Sequence, residues 1–184
     1  MGNMRRLTRV ALLAAALCVM APFSLPVGPV PLTLATLGVY LAAALLGPAE
    51  GTAAVAVYVL LGALGVPVFS GFTGGVQKLA GVTGGYIVGY ILCAAVVGLM
   101  WRRSDKAWRL ALALVCGTVV LYVFGTAWYV AQTGTPLWSA LLLCVAPFLP
   151  GDAAKIIVIC GGVPPLKKTL IRRGLLPPNR EQFV

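Results

Sequence analysis

The chain contains no histidine and only four acidic residues among 184. Histidine is the commonest general base and the commonest transition-metal ligand, so its absence leaves the chain poorly equipped for hydrolysis. Intramembrane hydrolases need paired carboxylates, a serine with a base, or metal ligands, and a single acid within an apolar stretch supplies none of these. No Walker A spacing is present, which argues against nucleotide binding. The five cysteines, Cys18, Cys93, Cys116, Cys144 and Cys160, lie singly inside apolar runs without CxxC spacing and read as small core hydrophobes. Charge is scarce as well: 10% of residues carry it, against about 25% in soluble domains.

What is abundant is apolar surface, with 60% hydrophobic residues and a mean hydropathy of +0.99. These proportions describe an all-α membrane protein. A span needs about 20 mostly apolar residues, so a bundle of six transmembrane helices uses roughly 120 and leaves short loops. One integral membrane domain, 1–184, is therefore expected. Apolar runs and breakers predict helices over about 9–24, 32–47, 51–65, 83–101, 110–131 and 151–168, with a short outer helix over about 137–145. The last division follows from Pro147, Pro150 and Gly151, because proline removes a backbone donor and clashes with the preceding turn. The basic then apolar N-terminus has the form of a signal peptide, yet it leads straight into further spans and is expected to stay as the first helix. Residues 174–184 read as a mobile cytoplasmic tail.

Fourteen Lys and Arg against four Asp and Glu give a net charge of +10. Arg5, Arg6 and Arg9 precede the first helix; Arg102, Arg103, Lys106 and Arg109 separate the fourth and fifth; Lys167, Lys168, Arg172, Arg173 and Arg180 follow the sixth. These clusters share one side, so the positive-inside rule places both termini in the cytoplasm of a multi-pass inner (plasma) membrane protein. The charge is read as orientation and contact with the anionic lipid bilayer, with no nucleic acid partner.

Among the acids, Glu50 falls at a cytoplasmic turn, Asp105 in a loop and Glu181 in the tail, whereas Asp152 lies within an apolar stretch. Lys155 follows three residues later on the same helical face. Ionisable residues at membrane depth cost at least about 2.5–3.5 kcal/mol each and usually mark a substrate pathway. Asp152 offers acceptors and Lys155 donors, matching a neutral cyclic urea or amide with N–H and C=O groups. The alternative is structural: Asp152 as a helix N-cap, with Lys155 neutralising it or snorkelling.

The outer loop between helices 3 and 4 is dense in glycine, including Gly74 and Gly75, interleaved with Phe72 and Tyr86. It reads as a substrate-covering loop with aromatic walls, or as packing through small residues. Lys78 either pairs with a substrate carboxylate or is a solvated surface lysine. Trp128 either packs on ligand or anchors helix 5 at the interface. Ala11 and Ala15, four apart on helix 1, form a small-residue face suited to a partner helix or to packing within the bundle.

Several separated motifs, in order, resemble the BioY family, the biotin-binding S components of energy-coupling factor (ECF) transporters. They are Pro31-Leu32-Thr33-Leu34, Leu46-Gly47-Pro48, Gly65-Val66-Pro67-Val68-Phe69, Thr83-Gly84-Gly85-Tyr86 with Gly89, and Pro147-Phe148-Leu149-Pro150-Gly151-Asp152 followed by Lys155. Ala35 and Val82 depart from the family pattern, which usually has Gln and Pro there. The resemblance implies a prokaryotic six-helix subunit that holds biotin near its outer face under a gate at about 25–31. By analogy Asp152 accepts ureido N–H bonds, Lys155 donates to the ureido oxygen, and the valerate carboxylate meets the glycine-rich loop, with Lys78 as its candidate partner. Ala11 and Ala15 would contact the transmembrane coupling subunit, and two ABC-type ATPase subunits would supply the energy. No cofactor, metal or catalytic residue is expected. A stand-alone ion- or proton-coupled carrier for biotin or another small vitamin is the alternative, although proton relays usually use several buried acids.

Overall fold

The computed structural model describes residues 2–25, 29–102 and 106–176. Among them run α1 (Gly2–Met20), β1 (Ser24–Leu25), β2 (Leu32–Thr33), α2 (Ala35–Ala63), α3 (Val76–Ala80), α4 (Gly84–Trp101), α5 (Ala107–Thr133), α6 (Leu137–Cys144) and α7 (Leu149–Arg172). Residues 26–28 of the expected gate, Arg103, Asp105, Arg180, Glu181 and the tail from 177 onward lie outside the described residues.

Against the six expected spans, four helices among the described residues are long and apolar enough to cross a membrane: Ala35–Ala63, Gly84–Trp101, Ala107–Thr133 and Leu149–Arg172. Two causes account for the difference. In α1, Arg5, Arg6 and Arg9 lie inside the helix, so its uncharged run from Val10 to Met20 covers about 16 Å of a roughly 30 Å hydrocarbon core. In α2, the expected second and third helices are joined with one non-helical residue, Gly47 (φ 78, ψ −170). That positive φ is cheap only for glycine. The chain doubles back there: a methyl group on Gly51 would stand 2.7 Å from the carbonyl oxygen of Ala42, whereas residues nine apart along a straight helix are separated by about 13 Å. The close approach continues at Gly98 of α4, where a methyl group would meet Pro48 Cα at 2.6 Å.

Other boundaries shift for local reasons. Helix α2 begins at Ala35, not at Leu32, because Leu32 and Thr33 pair antiparallel with Leu25 and Ser24. Helix α1 starts at Gly2 and ends at Met20, ahead of Pro22, which cannot continue the ladder. Helix α7 starts at Leu149 with Pro150 in its first turn, where a missing N–H costs nothing. Part of the glycine-rich loop is helical, as α3.

The core lies among α1, α2, α4 and α5, with Leu17, Tyr40, Tyr58, Trp101, Leu110 and Leu114 fully buried. At one end Arg9 of α1 donates two bonds of 2.9 Å to Glu50 and one of 3.1 Å to the Leu175 carbonyl. Leu175, in the stretch expected to begin the mobile tail, is thus tied to Arg9 of α1, and Leu176 is buried. The opposite end gathers the β1–β2 hairpin, the close of α6 and the first turn of α7.

Candidate binding site

Asp152 stands in the first turn of α7 and is 4% exposed. Phe148 occupies the N-cap position without a side-chain cap bond, so the capping reading of Asp152 does not apply. Lys155 lies one turn on, its side chain 11% exposed, with Nζ 2.9 Å from Asp152 Oδ1. It does not snorkel outward. Its other two protons go to the Thr33 carbonyl of β2 at 2.8 Å and to Thr36 Oγ1 at 2.7 Å. Thr36, in the first turn of α2, donates its own hydroxyl to Asp152 Oδ1 at 3.2 Å. Tyr122 of α5 donates to Oδ2. Four elements thus converge on one ion pair, and the buried charges are matched by hydrogen bonds as burial requires.

These polar groups form one pole of a cavity of about 340 Å³, open solvent at its mouth included. Its other walls are aromatic and aliphatic, from Tyr86, Tyr90, Leu121 and Phe148, and Val30 to Leu32 of the hairpin close one side. A second cavity shares Val30, Pro31, Thr33, Tyr86 and Tyr90 and extends toward Ser70 and Thr83. Tyr86 Oη bonds Thr126 at 3.0 Å. Burial pushes the Cys144 thiol, which also lines the first cavity, above its ordinary pKa. Among the described residues no group of three or more Cys, Asp or Glu gathers as a metal site. A few polar groups at one pole of an apolar concavity suit a small, mostly apolar ligand with an N–H and C=O head.

The sequence-derived candidates divide. Asp152, Lys155 and Tyr86 meet in the first cavity, whereas Lys78, Gly74, Gly75, Phe72 and Trp128 line neither of the two. Gly74 packs against the Val66 carbonyl, and the Gly75 N–H bonds Gly62 O at 2.7 Å. Phe72 is 62% exposed, with its ring edge-on to Phe23 at 5.7 Å. Trp128 donates to the Gly81 carbonyl at 3.0 Å and packs against Gly85. Lys78 is half-buried on α3. Ala11 and Ala15 are exposed on α1. Sequence reasoning passed over Thr36 and Tyr122, and it had Thr33 only as part of a motif.

Residues 1–172 match the model of the BioY family. The chain belongs to the BioY family. A relative named "Biotin transporter BioY" from Thermotoga maritima is 41% identical over 174 residues, spanning 92% of this chain and 100% of that protein. A "Probable biotin transporter BioY" from Pyrococcus horikoshii is 38% identical over 151 residues, 82% of this chain and 89% of that one. Among solved structures, "the S-component for biotin from an ECF-type ABC transporter" superposes with a TM-score of 0.84 at 27% identity, covering 91% of this chain and 93% of that one. The Asp152 to Lys155 turn therefore sits in a BioY fold matched almost end to end.

Proposed function

We propose that this chain is the substrate-capture subunit of a biotin transporter, a transport protein and not an enzyme. It binds biotin near the outer membrane face for uptake driven by partner ATPase subunits. The observation that carries this is the buried Asp152–Lys155 pair facing an aromatic cavity, in a chain 41% identical to a named biotin transporter. The ureido ring enters head first: Asp152 accepts an N–H, Lys155 donates to the oxygen, and the bicyclic ring lies against Tyr86, Tyr90 and Phe148. All three Lys155 protons are engaged within the protein, so reaching the ureido oxygen means releasing one of them. Releasing the Thr33 carbonyl would couple occupancy to the β1–β2 hairpin, which we read as the gate.

In this reading α2 crosses twice about Gly47, α1 is a further crossing with Arg6 and Arg9 held at its inner end by Glu50, and both termini face the prokaryotic cytoplasm. Ala11 and Ala15 face outward for a transmembrane coupling subunit, through which two ABC-type ATPase subunits act. Titration of biotin into the purified, ligand-free protein tests the capture role. Saturable binding is expected, and its absence in folded protein would refute the role. Biotin accumulation in ATPase-free proteoliposomes under a pH gradient would instead favour the self-sufficient carrier.

A further inference from the structure

The donors around Asp152 can be counted against its acceptor capacity. An ionised carboxylate offers about four lone-pair sites, two on each oxygen. Both sites on Oδ1 are taken, by Lys155 Nζ at 2.9 Å and Thr36 Oγ1 at 3.2 Å. On Oδ2, Tyr122 takes one. A single site remains, on Oδ2, and Asp152 and Tyr122 line the same cavity. The two N–H bonds of a five-membered cyclic urea diverge on either side of its carbonyl, so one carboxylate cannot meet both.

Building on the biotin reading above, we propose that Tyr122 is a positioning residue that fixes Oδ2 of Asp152 so that the carboxylate recognises one of the two ureido N–H groups and not the other. Tyr122 acts through Asp152, not by holding the ring itself. The ligand class that Asp152 selects is then a cyclic urea, carbamate or lactam that keeps the one matching N–H.

The test is a double-substitution cycle read by calorimetric titration of biotin, with thermal unfolding in parallel. Y122F is expected to weaken biotin binding by about tenfold, the scale of a hydrogen bond to a charged group, and to lower the unfolding temperature, since Oδ2 loses its tyrosine donor. In a D152N background the same Y122F change is expected to cost less than about threefold, because the group it positions is already altered. Equal costs in both backgrounds, or a Y122F affinity equal to the parent's, would overturn the proposal.

A second arm needs no Tyr122 variant. Two biotin analogues, each with one ureido N–H replaced by a ring oxygen, are titrated into the parent and into D152N. One analogue is expected to be nearly insensitive to D152N and the other to lose as much affinity as biotin does. Equal sensitivity of the two would overturn the assignment even if Y122F did not fold. Should the parent bind no biotin at all, the transporter reading falls first and this inference falls with it. A parent that binds biotin while Y122F matches it sinks the inference alone.

Discussion

At the scale of single residues the site is a closed circuit of short bonds in which Thr36 is the hinge member. It accepts from Lys155 and donates to Asp152 through one oxygen. Thr36→Val keeps the shape and deletes both bonds, leaving a buried ammonium and carboxylate each short of a partner. Unsatisfied groups of this kind cost about 1–3 kcal/mol. The variant is therefore expected to unfold at lower temperature and to bind biotin about tenfold more weakly, with Thr36→Ser restoring both. Unchanged affinity in Thr36→Val would show that the circuit does not hold the binding groups in place. Asp152 and Lys155 were legible because two ionisable residues three apart in an apolar run stand out against their surroundings. Thr36 and Tyr122 were not, because a hydroxyl in a membrane helix carries no mark of its distant partner, here 116 and 30 positions away. Lys78 drew attention as an isolated outward cation, and it lines neither of the two cavities.

At the scale of elements, the apolar runs located the helices while the connections escaped. Strands of two residues have no periodicity to read, so the β1–β2 pairing that delays the start of α2 to Ala35 left no trace in the pattern. The break at Leu46-Gly47-Pro48 was visible, although its compactness was not: a single residue at φ 78 reverses the chain. The reversal depends on small residues facing it. A methyl group at Gly98 would come within 2.6 Å of both N and Cα of Pro48, and backbone at a tight turn cannot step aside as a side-chain tip can. Gly98→Ala is expected to destabilise the protein by about 1–3 kcal/mol, the range for overpacking, seen as a lower midpoint of thermal unfolding in detergent. An unchanged midpoint would mean that α4 and the turn separate without cost.

At the scale of the whole molecule, the two ends have different chemistry. One gathers Arg6, Arg9 and Glu50; the other gathers the hairpin, the cavities and the Asp152 circuit. On the proposed function, binding and coupling are then separable. Ala11→Leu with Ala15→Leu enlarges an exposed face of α1 that lines neither cavity. The pair is expected to leave biotin affinity of the isolated subunit unchanged while ATP-driven uptake by the assembled transporter falls severalfold. Loss of affinity in the isolated subunit would show that this face serves the bundle and not a partner. That the buried Asp152 carboxylate captures biotin is tested most directly by calorimetric titration of biotin into the dialysed protein beside Asp152→Asn. Saturable one-to-one binding by the parent and at least about a tenfold loss in the variant are expected, since a charge-assisted hydrogen bond is worth about 1.5–3 kcal/mol. Equal affinities in two folded, ligand-free proteins would contradict it.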